Sequence, residues 1–127
     1  YKNILGGQAR SEFNSLVYVY RDAQKADSSQ LNKNLLLSNA ARAFTRPQLK
    51  IYADDVKCHH GATVGQLDKE GLFYLRSRGI PKVKARTLIT YGFAKELIHV
   101  RWLPSLQKRL EKSFKARLEK ILEDAGE

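Results

Sequence analysis

Cys58, His59 and His60 are the one run in this 127-residue chain that joins a thiol to imidazoles. A thiolate and a neutral imidazole bind soft or borderline metals, and the pair can also move a proton or a sulfur species. On extended backbone Cys58 and His60 share one face and His59 takes the other. Two ligands fall short of the four that a structural zinc site needs, and the third histidine, His99, stands far along the chain in a predicted helix. A second chain or an external ligand has to complete any such site. The pair also offers a nucleophile and a base, but shared facing establishes neither their contact nor an oxyanion pocket, so cysteine-protease chemistry does not follow. The plain alternative is a buried Cys58 and a polar His60 serving as ordinary turn residues. Asp54 and Asp55 fall on opposite strand parities and read as a turn cap rather than a carboxylate dyad.

Other residue types give less. Gly6-Gly7 lacks the lysine and preceding strand of a phosphate-binding loop. Tyr52, Tyr74, Tyr91 and Trp102 suit core packing or an interface. Arg76 and Arg78 either contact an anion or are surface charge. The chain holds 23 Lys plus Arg against 13 Asp plus Glu, a net charge of +10 that favours encounters with anionic partners. The excess is spread through both halves, without an arginine-rich tail, zinc-finger spacing or ribonucleoprotein motif, so a solvated basic surface is the simpler reading than nucleic-acid binding. A single cysteine excludes an internal disulfide scaffold and favours a reducing compartment. No apolar run is long enough for a membrane span.

Two kinds of element must position these residues. In the first half Leu16, Tyr18 and Tyr20 alternate with Val17 and Val19, and Leu49, Ile51 and Ala53 alternate with Lys50 and Tyr52; with Leu35-Leu36-Leu37 between them, this is strand grammar. The stretches from Asp22 to Lys33 and from Ser38 to Gln48 are polar and read as turns and short edge strands, and Pro47 limits where a ladder continues. Polar connections without helical crossovers disfavour a doubly wound sheet and leave antiparallel strands or successive coils of a β-solenoid. A short solenoid would need a cap or a partner.

After Gln66 the period lengthens. Asp68 is a plausible cap for a short helix containing Leu72 and Leu75 that ends near Gly79. Pro81 suits the first turn of a second helix with a stripe of Ala85, Leu88, Ile89, Phe93 and Leu97. Pro104 begins a third, with Leu106, Leu110, Phe114, Leu118, Ile121 and Leu122 at three- and four-residue intervals. Its other face permits local pairs such as Glu111 with Lys115. The long stripe packs on the second helix or receives another subunit.

The stretch PQLKIYADDVKCHHGATVGQLDKEGLFYLRSRGIP, Pro47 to Pro81, resembles the SufB/SufD family of iron–sulfur cluster assembly proteins. ILGGQARSEFNS, Ile4 to Ser15, and QLNKNLLLS, Gln30 to Ser38, extend the resemblance over nearly all of residues 1 to 100. CHHGATVGQLD is closer to the SufD branch, because SufB usually has Glu where Gly61 stands. The pattern more often has Ser where His59 stands.

The resemblance implies a right-handed parallel β-helix, here the C-terminal coils of a longer β-solenoid in residues 1–67, followed by an α-helical region in residues 68–127. It further implies a scaffold subunit rather than an enzyme, one that pairs with a SufB-like subunit or with itself and docks a SufC-like ATPase through its helices. On that reading His60, with Cys58, contributes to an assembly site shared with a SufB cysteine, and Leu106, Leu110, Phe114 and Leu118 contact the partner. The chain would hold no cofactor stably, only a transient cluster within the full complex. It would bind neither specific nucleic acid nor membrane, and would work in the cytoplasm or, in a plant, a plastid. A basic nucleic-acid module and a thiol- or metal-dependent enzyme are the other readings. The former predicts salt-sensitive binding, the latter stoichiometric metal or turnover by the isolated protein.

Overall fold

The computed structural model describes residues 1–98 and 103–124. His99 and Trp102 lie outside the described residues. Five strands come first: β1 (Lys2–Leu5), β2 (Arg10–Val19), β3 (Asp27–Leu36), β4 (Arg42–Ile51) and β5 (Lys57–Gln66). Three helices follow: α1 (Lys69–Ser77), α2 (Lys82–Ile98) and α3 (Pro104–Asp124). The strands form two sheets, β1-β3-β5 and β2-β4, so each connection leads from one sheet to the other. All three pairings are parallel, with Lys2 opposite Lys33, Asp27 opposite Lys57 and Arg10 opposite Arg42. The antiparallel alternative is thereby excluded.

Two sequence expectations need correction. The polar stretches at 22–33 and 38–48 are not mainly turns: ten-residue strands β3 and β4 begin inside them. β3 lacks apolar alternation because its inward positions are amides. Gln30, Asn32 and Asn34 are buried, Asn32 completely. Buried amides are normally hydrogen-bonded, and these bond to one another and across strands, although Gln30 Oε1 and Asn32 Nδ2 are left without a hydrogen-bond partner. Asn34 Nδ2 donates to Asn32 Oδ1 at 2.6 Å and to the Thr63 carbonyl at 3.0 Å, while Asn3 Nδ2 donates to Asn34 Oδ1 at 2.7 Å. Gln30 Nε2 donates to Ser15 Oγ in the other sheet. Pro47 is tolerated opposite Ser15 because β4 has a neighbour on one side only.

α1 begins where expected, with Asp68 accepting from the Glu70 amide, and Gly79 follows it at φ +80°, a conformation that suits glycine. The face of α2 differs from the expected stripe. Ala85 is buried and Phe93 packs on the core as expected, but Leu88 and Leu97 are exposed and Arg86, Thr90 and Ala94 are buried instead, the small Ala85, Thr90 and Ala94 letting this helix approach its neighbours closely. Arg86 Nη2 donates to the Leu37 carbonyl at 2.9 Å. Lys2 Nζ ties β1 to α2 through the Phe93 carbonyl and Glu96 Oε2, both at 2.6 Å, and lies over the Phe93 ring. Leu35 and Leu37 form one core with Leu118 and Leu122 of α3, flanked by Ile4, Leu67, Phe93, Phe114 and Ile121. At Gly6 a Cβ would come within 2.7 Å of Ile121 Cγ2, so glycine sets how near α3 lies to the strands. Strands and helices therefore share a single apolar centre.

Candidate functional site

β5 is an edge strand, paired with β3 alone. In its register Cys58 lies opposite Ser28, His59 opposite Ser29, His60 opposite Gln30 and Gly61 opposite Leu31. Side chains opposite one another in a parallel pair share a face. Cys58 and His60 thus lie on the face that carries buried Gln30, Asn32 and Asn34, and His59 lies on the face that carries exposed Ser29 and Leu31.

Parity alone would bury His60, yet it is exposed, and so is His59, while Cys58 is a half-buried free thiol. The reason is position in the sheet. Gln30 has strands on both sides, whereas His60 stands on the last one, and among the described residues no further strand covers it. The arrangement presents one imidazole and one partly sheltered thiol on an open sheet edge, donors suited to a soft or borderline metal. Among the described residues no group of three or more His, Cys, Asp and Glu is arranged to hold a metal ion. His99 is outside the described residues.

Gly61 sits on the outer parity, where an added Cβ would lie 3.2 Å from Leu31 Cδ2. A larger residue there would push that leucine aside. Asp54 and Asp55 lie in the bend before β5, and the Asp55 backbone ties that bend to the turn at Gln24 and Lys25. Lys25 N donates to the Asp55 carbonyl at 2.6 Å, and Asp55 N donates to Gln24 Oε1 at 3.0 Å. They are turn residues, as their parity indicated.

The four candidate docking residues divide along α3. Leu106 and Leu110 are 38% and 39% exposed, near solvent-facing Leu103 in the chain. Phe114 packs against the core and Leu118, 1% exposed, is part of it. Glu111 takes a hydrogen bond from Gln107 Nε2 at 2.9 Å, while Lys115 lies over the Tyr91 ring. That hydrogen bond first, and then the Tyr91 hydroxyl and nearby lysines, hold the Glu111 carboxyl below its ordinary range. Tyr91 is raised by burial first and then by Glu111. Tyr52 and Tyr74 are exposed, and Arg78 stacks over Tyr74. Sequence reasoning missed the Lys2 clamp and the asparagine row. One signal was present: Lys2-Asn3-Ile4-Leu5 and Lys33-Asn34-Leu35-Leu36 are nearly the same tetrapeptide, and they pair residue for residue.

Among the described residues no helix is long and apolar enough to cross a membrane. Residues 1–93 match the family model described as the SUF system FeS cluster assembly SufBD core domain. The chain is 52% identical over 97 residues to the iron–sulfur cluster assembly protein SufD of Escherichia coli K12, covering 76% of this chain and 23% of that protein. It is 44% identical over 117 residues to an iron–sulfur cluster assembly SufBD family protein of Synechocystis, covering 92% of this chain and 26% of the relative. It is 42% identical over 86 residues to the chloroplastic protein ABCI7 of Arabidopsis thaliana, covering 68% and 18% respectively. The chain thus spans at most about a quarter of the length of these relatives. With parallel strands that carry the CHHG segment on their last edge and a helical region after them, this chain belongs to the SufB/SufD family of iron–sulfur cluster assembly proteins, as a SufD-like member.

Proposed function

We propose that the two sheets are two faces of a right-handed parallel β-helix, residues 1–67, whose successive coils each give one strand to each face, and that residues 68–127 form a helical docking region. The whole protein acts as a non-ATPase scaffold in iron–sulfur cluster assembly, pairing with a SufB-like subunit and holding a SufC-like ATPase. It works in the cytoplasm or in a plastid. The observation that carries this reading is His60: on the inward parity of the sheet, yet exposed because β5 has an open edge. An incomplete ligand set on an uncovered strand suits a site that a second subunit completes.

His60 acts as a ligand or proton-responsive group beside a thiolate given by the partner, with Cys58 as a second donor. The cluster is cargo: it forms between subunits and leaves. ATP binding and hydrolysis belong to the docked ATPase, whose dimerisation reshapes the shared interface. Leu106 and Leu110 are the docking contacts that remain open on α3. Phe114 and Leu118 support that helix from below. Measuring the mass of the full-length protein mixed with SufB-like and SufC-like subunits tests the assembly. A stable complex of all three is expected, and a protein that stays monomeric in every combination refutes it.

A further inference from the structure

The outward face of β2 and β4 is open to solvent. Side chains alternate along both strands, with Val17 and Val19 on the inner side. On the outer side Arg10 lies opposite Arg42, Asn14 opposite Arg46 and Tyr18 opposite Lys50, all of them exposed. Arg42 Nη1 donates to the Asn39 and Ala41 carbonyls at 2.6 and 2.9 Å. Among the described residues Arg10, Arg46 and Lys50 form no ion pair. Glu12 is the one acid at the outward positions of these strands, and its carboxylate takes a hydrogen bond from Asn14 Nδ2 at 2.7 Å. Strands added beside β2 or β4 would extend this face and leave it uncovered.

The far end of the same face is apolar. The Tyr18 ring packs against Tyr20 and Tyr52, with centroids 4.5 and 5.0 Å apart, and Leu16 precedes it on the same parity. Tyr20 and Tyr52 are nevertheless 68% and 54% exposed. Apolar surface left in water in a cluster is stabilised when a partner covers it. Between the two ends a recess of about 420 Å³ opens beside Phe44 and Arg46, where a side chain can enter. Tyrosine and arginine are the side chains that most often anchor protein interfaces. Exposed cations beside an apolar cluster call for an occupant that is acidic at one end and apolar at the other. A nucleic-acid strand fits less well. Its even negative charge would meet Glu12 midway and exposed Asp22 and Asp54 just past the tyrosines, whose rings are already stacked on one another. A second copy brings the same net charge of +10.

We propose that this face docks a partner protein through an acidic segment that ends in a large apolar side chain. The acids lie against Arg10, Arg46 and Lys50, and the apolar group rests on Tyr18, Tyr20 and Tyr52. The surface belongs to the other sheet from His60 and is independent of that site. The test titrates the full-length protein, at constant ionic strength, with a fluorescent synthetic peptide joining a run of glutamates to a tryptophan, read by anisotropy. A second peptide has glutamines in place of the glutamates, and an oligothymidylate is the nucleic-acid probe. Saturable binding of the glutamate peptide is expected. Affinity should be at least about tenfold lower for the glutamine peptide, for Arg10→Glu with Arg46→Glu, and for Tyr20→Ser with Tyr52→Ser. All four positions are exposed, so both variants should keep the parent's unfolding midpoint. Absent saturation, equal binding of the two peptides, or equal affinity in either double variant overturns the proposal. So does an oligothymidylate that binds more tightly than the glutamate peptide and is weakened by the same variants, which gives the face to nucleic acid. Self-association of the parent that both variants abolish gives it to a second copy and overturns it as well.

Discussion

Asn34 joins three groups at once: it accepts from Asn3 and donates to both Asn32 and the Thr63 carbonyl. A leucine of similar size would fit the volume but leave those partners without it. Replacing Asn34 with Leu should therefore destabilise the fold by about 1–3 kcal/mol, the cost of stranding buried polar groups. Urea unfolding measures this, and a variant as stable as the parent would show that the amide row contributes nothing. The sequence made the shared face of Cys58 and His60 legible, because parity follows from extended backbone alone. It did not reveal that His60 is exposed, since that depends on which strand is last. The inward amides escaped notice for the opposite reason: they carry no apolar period, and only strand register shows that they are inside.

At the scale of elements, β1 and α2 are held together by the contact of Lys2 with Glu96 at 2.6 Å. The hydrogen bond from Lys2, then the charges of Lys2 and Lys33, lower the Glu96 pKa. A depressed carboxyl contributes stability in full above its unfolded value, about 4.3, and loses it as pH falls through the lower folded value. The effect is small because Glu96 is exposed. Hydrogen-exchange protection of the α2 amides should accordingly drop on acidification in the parent and stay flat in Glu96→Gln. An equal drop in both would assign the acid response elsewhere. The helices were the most legible elements, since Asp68, Gly79, Pro81 and Pro104 mark their ends. The buried face of α2 was less so, because small and polar residues there won over Leu88 and Leu97.

For the whole molecule, α3 has two roles along one stripe. Its far half closes the core, so Leu118→Ala should cost about 2–5 kcal/mol in thermal or urea unfolding. Its near half faces solvent, so Leu106→Ser with Leu110→Ser should alter stability by no more than about 0.5 kcal/mol per site while weakening capture of the ATPase subunit. Undiminished capture by the double variant would move the docking face elsewhere. Sequence periodicity showed one continuous stripe and could not divide it, because the division depends on where Leu35 and Leu37 end beneath the helix. Parallel pairing was likewise beyond alternation alone, although the near-identity of residues 2–5 and 33–36 carried the register.

The claim at the centre is that β5 presents His60 to a site finished by another subunit. The direct measurement is the cluster yield per assembled complex, read by visible absorbance, with the full-length protein and its His60→Ala variant. The account predicts a lower yield from the variant with the mass of the complex and its unfolding midpoint unchanged. Equal yields would contradict it.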